Sequence, residues 1–256
     1  MLTHFSLCSG LDGISIASEK AGFITVGQCE IADYPYDLLC LHWPQVPKWR
    51  DIKDVTVESV RSRGINDITL LTAGFPCQPH SLAGKRQASA DGRDLWGGVA
   101  QCIRDLKPKW FLGENVLGLL SSENGQFFGR VLRDLAQMGY YAGWGCWGAV
   151  HVGAFHRRER VFIVAHSASE RLHQGDYETG MACQTRYIKP QEGLWRLRYF
   201  RTHSGRIRIA PESIFERVDY GVPGELERLK ALGNAVDPRQ VYPLVATIAD
   251  FEILAS

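Results

Sequence analysis

The sequence predicts an α/β fold, a mostly parallel sheet with helices on both faces. Three observations lead there. Short apolar runs alternate with amphipathic segments through the first two thirds of the chain. Glycines, single acids and a cysteine fall directly after those runs, where α/β sheets gather ligands. A last apolar helix follows a polar, basic interruption, so the chain is expected to return and complete its first unit. With 256 residues, 45% of them hydrophobic, one globular domain with a sizeable core and a small appendage is expected.

The elements follow in order. Leu2 to Cys8 reads as a strand and Asp12 to Ala21 as a helix. Ile24 to Glu30 reads as a second strand and Pro35 to Leu41 as a second helix, with a third apolar stretch before Asp51-Ile52. Ile68 to Ala73, Trp110 to Gly113 and Arg160 to Ala165 are further strand candidates. Leu95 to Leu106 and Phe127 to Met138 are helix candidates. Pro223 to Leu232 reads as a helix closed by Gly233-Asn234. Pro238 opens the last helix, to about Leu254, at a position that favours proline.

Composition narrows the class. No stretch approaches the roughly 18 apolar residues of a membrane span, and Met1-Leu2-Thr3-His4 leads straight into an apolar segment, so neither a signal peptide nor a membrane association is expected. Seven cysteines, at 8, 29, 40, 77, 102, 146 and 183, form no C-x-x-C pair and no zinc spacing with histidine. A reduced, cytoplasmic protein without a metal is expected.

From about Ser167 to Ile214 periodicity fades. Between Gln184 and Arg208 stand seven basic residues, Arg186, Lys189, Arg196, Arg198, Arg201, Arg206 and Arg208, against one acid, Glu192. Tyr187, Trp195, Tyr199 and Phe200 are interleaved. Basic side chains among aromatics suit phosphate neutralisation and stacking on bases. A solvated loop whose arginine stems cover apolar surface is the alternative.

Cys77 stands in Gly74-Phe75-Pro76-Cys77-Gln78-Pro79-His80-Ser81, on a loop stiffened by two prolines at a strand end. It is either a positioned thiol or a small buried hydrophobe. Ser6-Leu7-Cys8-Ser9-Gly10-Leu11-Asp12-Gly13 sets glycines at a strand-to-helix turn, where backbone approaches a nucleotide closely. Glu30 ends the next strand, where an acid commonly binds ribose hydroxyls. Asp51-Ile52 could address an adenine ring; capping or surface charge is the alternative for both acids. The turn lacks G-x-G-x-x-G, which argues against a nicotinamide dinucleotide. Glu114 follows Trp110-Phe111-Leu112-Gly113 and could be an acid raised by burial, or a structural carboxylate. If a strand begins near His156-Arg157-Arg158-Glu159-Arg160, Arg158 and Arg160 share one face, placed for a base carbonyl or a phosphate.

These blocks, with Asp91-Gly92-Arg93-Asp94-Leu95, Gly113-Glu114-Asn115-Val116 and Gly233-Asn234-Ala235-Val236-Asp237-Pro238, resemble the DNA cytosine-5 methyltransferases, of the small bacterial or phage type. They occur in that family's order. The resemblance implies a Rossmann-like S-adenosylmethionine-dependent methyltransferase sheet plus a small irregular target-recognition region. It implies a catalytic and cofactor-binding domain at 1–166, the recognition region at 167–219, and a segment at 220–256 returning to the first domain.

By the same resemblance Cys77 is the nucleophile toward C6 of a flipped-out cytosine, and Glu114 serves N3. Arg160 contacts the base O2, Arg158 supports it, and Asn115 fixes the Glu114 loop. S-adenosylmethionine is the implied cofactor, S-adenosylhomocysteine its product. Gly10 and Gly13 would border its methionine side, and Glu30 its ribose; Cys8, at the position that stacks on the adenine, Ser9 and Asp12 belong to the same implied cofactor set. Ile31, Asp51 and Ile52 would border its adenine. Pro76, Asn234 and Ala235 complete the implied cofactor set, with Asn234 bracing the join to the recognition region. The C-terminal helix would pack beside the first strand and help close the pocket. Ser81, Arg93, Arg196, Arg198, Arg201 and Arg206 are the implied contacts to double-stranded DNA. A monomer in the cytoplasm of a bacterial or phage-infected cell is implied, in the setting of restriction and modification.

Four departures stand out. Cys8 occupies a position that is usually phenylalanine, and Asp12 the usual second glycine of the turn. Phe155-His156 replaces the usual Pro-Gln. The recognition region is short. Other readings remain: the same chemistry on tRNA, a catalytically silent DNA-binding relative, or a thiol hydrolase pairing Cys77 with His80 or His156. The last lacks a nucleophile-elbow signature.

Overall fold

The computed structural model describes residues 1–76, 95–154, 156–168, 231 and 234–254, and the backbone alone of 197–201 and 207–211. The strands are β1 (Thr3–Leu7), β2 (Ile24–Cys29), β3 (Lys48–Trp49), β4 (Leu70–Ala73), β5 (Trp110–Asn115), β6 (Tyr140–Gly148) and β7 (Glu159–Ser167). They form one seven-stranded sheet in the order β3-β2-β1-β4-β5-β7-β6. The pairs from β3 to β5 are parallel, and β7 lies antiparallel to both β5 and β6. The strand order reverses at β1 and β4, so the loops leaving these two strands open a crevice at their carboxyl ends.

The helices are α1 (Gly13–Lys20), α2 (Asp33–His42), α3 (Val57–Arg61), α4 (Leu95–Leu106), α5 (Gly118–Ser121), α6 (Gln126–Gln137) and α7 (Pro238–Leu254). Strand periodicity divides the core. Leu71 and its register partner Phe111 join Trp96, Val99 and Ile103 of α4 and Val131 and Leu135 of α6. Leu70 and Leu112 face the other way, to Ile14 and Ala17 of α1 and Val241, Val245 and Ile248 of α7. Both faces of β4 and β5 are covered, which is why they read as largely apolar runs.

The expected C-terminal helix is present, but it sits over β4, β5 and β7 through Leu70, Trp110, Leu112 and Phe162, packed beside α1. Its buried Glu252 accepts from Trp110 Nε1 at 2.8 Å and pairs with Lys109 at 3.1 Å. Under α1 the interior is polar: His4 Nε2 lies 2.8 Å from Thr72 Oγ1, and burial pushes the imidazole down to about 3.

Three elements were not expected, one of them the single-turn helix α5. Strand β6 reads Tyr-Tyr-Ala-Gly-Trp-Gly-Cys-Trp-Gly, and its three glycines, at 143, 145 and 148, hide a strand. Helix α3 has five residues, too short to show a period, and is set by a Thr56–Ser59 capping box. Within the segment expected to be irregular, β8 (Leu197–Arg201) and β9 (Ile207–Pro211) pair antiparallel as a separate two-stranded sheet. The helix expected at Pro223 to Leu232 falls outside the described residues, apart from Ala231. Among the described residues no helix is long and apolar enough to cross a membrane.

Candidate active site

The turn from β1 to α1 is built on alternate left-handed residues: Cys8 at φ 51°, Gly10 at φ 56° and Asp12 at φ 53°. Glycine adopts this region freely, and aspartate tolerates it better than most side chains. Asp12 therefore occupies a glycine-like position without breaking the turn. Its carboxylate faces inward, 2% exposed, and caps α1 by accepting from Ser15 N at 3.1 Å. It also accepts from Ser15 Oγ at 2.5 Å, Gln28 Nε2 at 2.7 Å and Ser6 Oγ at 3.0 Å. Burial pushes the group up to about 6, against the pull of those hydrogen bonds. One carboxyl thus ties β1, α1 and β2 together. Its side chain is committed to the protein interior, leaving the backbone of the turn to face the crevice. Ser9 Oγ donates to Ser6 O at 3.2 Å, and burial pushes the half-buried Cys8 thiol up to about 12.

Glu30 lies just past β2, 8% exposed. Its Oε2 accepts from Gly10 N at 2.7 Å and its Oε1 from Ala32 N at 2.8 Å. Each carboxylate oxygen has a second lone pair for a hydroxyl. Open space lies where a Gly10 Cβ would stand. Ile31 beside it is 67% exposed, an apolar surface at a strand end. Asp51 caps its own short turn by accepting from Lys53 N at 2.9 Å. Ile52 is nearly buried and meets α4 at Gly98, so its side chain belongs to the core. A buried acid, an open glycine turn and an exposed aliphatic side chain fit a ribonucleoside with a flat base.

Gly13 is crossed closely by the chain's far end. A Cβ there would lie 2.3 Å from Val236 O. Asn234 is exposed and Ala235 half-buried just before this contact, so the segment leading into α7 reaches the first turn.

Across the crevice, β5 runs two residues further than expected and carries Glu114 and Asn115 as its last members. Glu114 is 6% exposed and its Oε1 lies 2.6 Å from Arg160 Nε. Burial pushes the carboxyl up to about 7, while Arg160 and Arg158 pull it down. Its Oε2 stands 3.5 Å from the position of a Cβ on Gly74, three residues before Cys77. Asn115 Nδ2 donates to Phe75 O at 2.7 Å, and Phe75 is 2% exposed against Trp96. The proline-cysteine loop therefore leaves β4 from a fixed root, with Pro76 exposed beyond it.

Arg158 and Arg160 are half-buried while Arg157 and Glu159 are exposed, the alternation expected of a strand entry. His156 Nε2 lies 3.3 Å from Asp237 Oδ2. Cys77, Ser81, Arg93, Arg196 and Arg206 lie outside the described residues, and Arg198 and Arg201 are described by backbone only, on β8. The sequence reading missed Ser6, Ser15 and Gln28 around Asp12, and Gln240 behind Arg158. Only the aspartate before Gly13 left a local signal, that of a helix cap. Among the described residues no His, Cys, Asp and Glu cluster could hold a metal ion.

Comparison with known proteins meets this geometry. Residues 2–204 match the family described as C-5 cytosine-specific DNA methylase. The type II methyltransferase M.NgoMIV of Neisseria gonorrhoeae is 32% identical over 163 residues, 64% of this chain and 51% of that protein. M.BsuFI of Bacillus subtilis is 34% identical over 164 residues, 64% of this chain and 39% of that protein. This chain thus spans about half or less of the length of these curated relatives. A prophage-encoded E. coli protein described as a DNA modification methyltransferase shares the fold, with TM-score 0.60 and 22% identity over 69% of this chain and 50% of its own. The Dnmt2 methyltransferase of S. pombe does so at TM-score 0.53 and 22% identity, over 73% and 57%. The family match covers the glycine turn, the root of the cysteine loop and the Glu114–Arg160 pair alike, and on that ground the chain belongs to the C-5 cytosine-specific DNA methylases.

Proposed function

We propose that this chain transfers a methyl group from S-adenosylmethionine to C5 of a cytosine within a specific double-stranded DNA sequence. The observation that carries the reading is a buried carboxyl at a strand end, Glu114, paired with Arg160 and seated beside the root of the Cys77 loop. Cytosine C5 is a weak nucleophile, and covalent catalysis is the way to activate it. The Cys77 thiolate forms a bond to C6. The displaced π electrons move toward C5 as Glu114 gives N3 a proton or a hydrogen bond. A carboxyl raised to about 7 keeps a proton available near neutrality. Arg160 would bind the base O2, with Arg158 behind it. Once C5 carries the methyl group, loss of the C5 proton to a base or water, departure of the Cys77 thiolate and return of the N3 proton to Glu114 restore the ring.

S-adenosylmethionine, when bound, supplies an electrophilic methyl carbon to the activated C5. Glu30 would hold its ribose, Ile31 and the residues after β3 its adenine, and the backbone from Cys8 to Gly13 its amino-acid end. Pro76 and the segment at Asn234 and Ala235 would border it. Sulfur cannot reach C6 of a stacked base, so the cytosine must leave the helix. Ser81, Arg93 and the basic segment with Arg196, Arg198, Arg201 and Arg206 would bind the DNA. In this reading 1–166 and 220–256 form the catalytic unit, 167–219 reads the target, and the protein works as a cytoplasmic monomer.

Bisulfite sequencing of DNA from cells expressing the protein tests this directly. Protected cytosines within one recurring sequence are expected, and none with Cys77→Ser. Methylation of tRNA but not duplex DNA would replace the substrate, and full turnover by Cys77→Ser would remove the covalent mechanism.

A further inference from the structure

Gln240 stands in the first turn of α7 with its side chain at 0% exposure. Its Nε2 donates to Arg158 O at 2.9 Å and to Trp147 O at 3.2 Å. Trp147 Nε1 donates back to Gln240 O at 3.2 Å. Trp147 and Arg160 are direct partners across β6 and β7, so the amide is fixed where the two strands deliver Arg160. Arg158 O also accepts from Ala149 N at 3.1 Å, which makes this carbonyl a junction of strand, loop and helix. A fully buried glutamine costs stability unless its polar atoms are used. Here the amide nitrogen grips one carbonyl on each side, Arg158 O at the entry to β7 and Trp147 O on β6, while Oε1 has no hydrogen-bond partner among the described residues.

The same segment is anchored at neighbouring points. Asp237 holds Arg239 at 2.7 Å, and Arg239 Nη1 reaches Gly153 O at 3.5 Å. Val236 O presses on Gly13 in the turn after β1. The start of α7 is thereby held on both sides of the crevice.

We propose that Gln240 is a positioning residue, whose amide locks the β6–β7 end so that Arg160 stays against Glu114. The proposal rests on the functional reading only for the consequence in turnover. Arg160 and Arg158 are the charged groups facing Glu114 among the described residues, and both pull its proton affinity down. From β4 the neighbour is Gly74, whose Cβ position lies 3.5 Å from Glu114 Oε2 and which offers no charge. Loosening the Arg158 carbonyl frees both arginines together, so Glu114 should hold its proton to higher pH.

The test is a carbon-13 NMR titration of labelled glutamate, with Glu114 assigned through Glu114→Gln. Gln240→Met keeps the volume and removes both donors. Its Glu114 midpoint should rise by roughly half a pH unit or more, about threefold in proton affinity. The alkaline limb of kcat should move the same way with little change in KM for the cofactor. Gln240→Asn, one methylene shorter but still an amide, serves if the methionine variant does not fold, and should shift the midpoint less in the same direction. An unmoved midpoint in the folded variants overturns the proposal. A shifted midpoint in a protein with no methyl transfer to DNA would support the positioning role and overturn the functional reading alone.

Discussion

At the scale of single residues, Asp12 is the sharpest case. Its unfolded carboxyl ionises near 3.8 and its folded one near 6, because burial outweighs its hydrogen bonds. A raised folded value means that the native state holds the proton longer. The stability associated with it is complete below about 4 and falls as pH rises through about 6. Asp12→Asn should remove that slope, on the order of 2–3 kcal/mol from about 1.4 kcal/mol per pH unit. Asparagine accepts the left-handed backbone and still caps the helix. Gln28 can turn its amide, since its Oε1 has no hydrogen-bond partner among the described residues. Asp12→Ala should lose the cap and strain the turn, costing about 2–3 kcal/mol. Thermal melts at pH 4.5 and 7 separate the two: the wild-type difference should shrink by several degrees in the asparagine variant. An undiminished difference would mean that Asp12 is ionised throughout. The sequence already marked Asp12 as a departure from the usual glycine. It could not reveal the carboxyl's three partners, because Ser6, Ser15 and Gln28 converge only once β1, α1 and β2 are packed.

At the scale of elements, legibility followed burial and period. The buried strands β4 and β5 stood out as largely apolar runs, and α4 and α7 by their helical spacing. Strand β6 did not, because its glycines carry neither propensity nor pattern. Glu114 and Arg160 could each be read as strand-end residues, yet their 2.6 Å contact depends on β5 and β7 running antiparallel in one register. That register is non-local and leaves no trace in either segment. Two glycines show how element contacts decide a substitution. Gly13→Ala would set a methyl 2.3 Å from Val236 O, forcing α7's leading segment away from the first turn. A loss of about 1–3 kcal/mol is expected, as for other overpacked sites. Gly129 lies inside α6 with nothing within 4 Å of a Cβ. Gly129→Ala should therefore stabilise by about 0.5–1 kcal/mol through helix propensity. Urea titrations of the two variants should move the midpoint in opposite directions. A neutral Gly13→Ala would show that the approach of Val236 and Pro238 yields freely.

At the scale of the whole molecule, charge is distributed unevenly in a chain whose formal net charge is only +1. Seven basic residues fall between Gln184 and Arg208 against the single acid Glu192. Uniform near-neutrality would give weak, salt-insensitive contact with a polyanion, whereas a concentrated basic segment makes affinity depend on counterion release. The backbone of β8 and β9 turns part of that segment into a hairpin, with Arg198 and Arg201 on one strand and Arg208 on the other. If each arginine neutralises one phosphate, each removal should flatten the plot of log affinity against log salt by about 0.9. Arg196→Ala and Arg198→Ala are thus expected to weaken binding to all duplexes alike, and the double variant to lower the slope by about 2 if the contacts are independent. Fluorescence anisotropy with a labelled duplex between low and physiological salt measures this. A weakened affinity with an unchanged slope would assign these arginines to base reading or to holding the hairpin. Affinity and slope both unchanged would remove Arg196 and Arg198 from the proposed phosphate contacts.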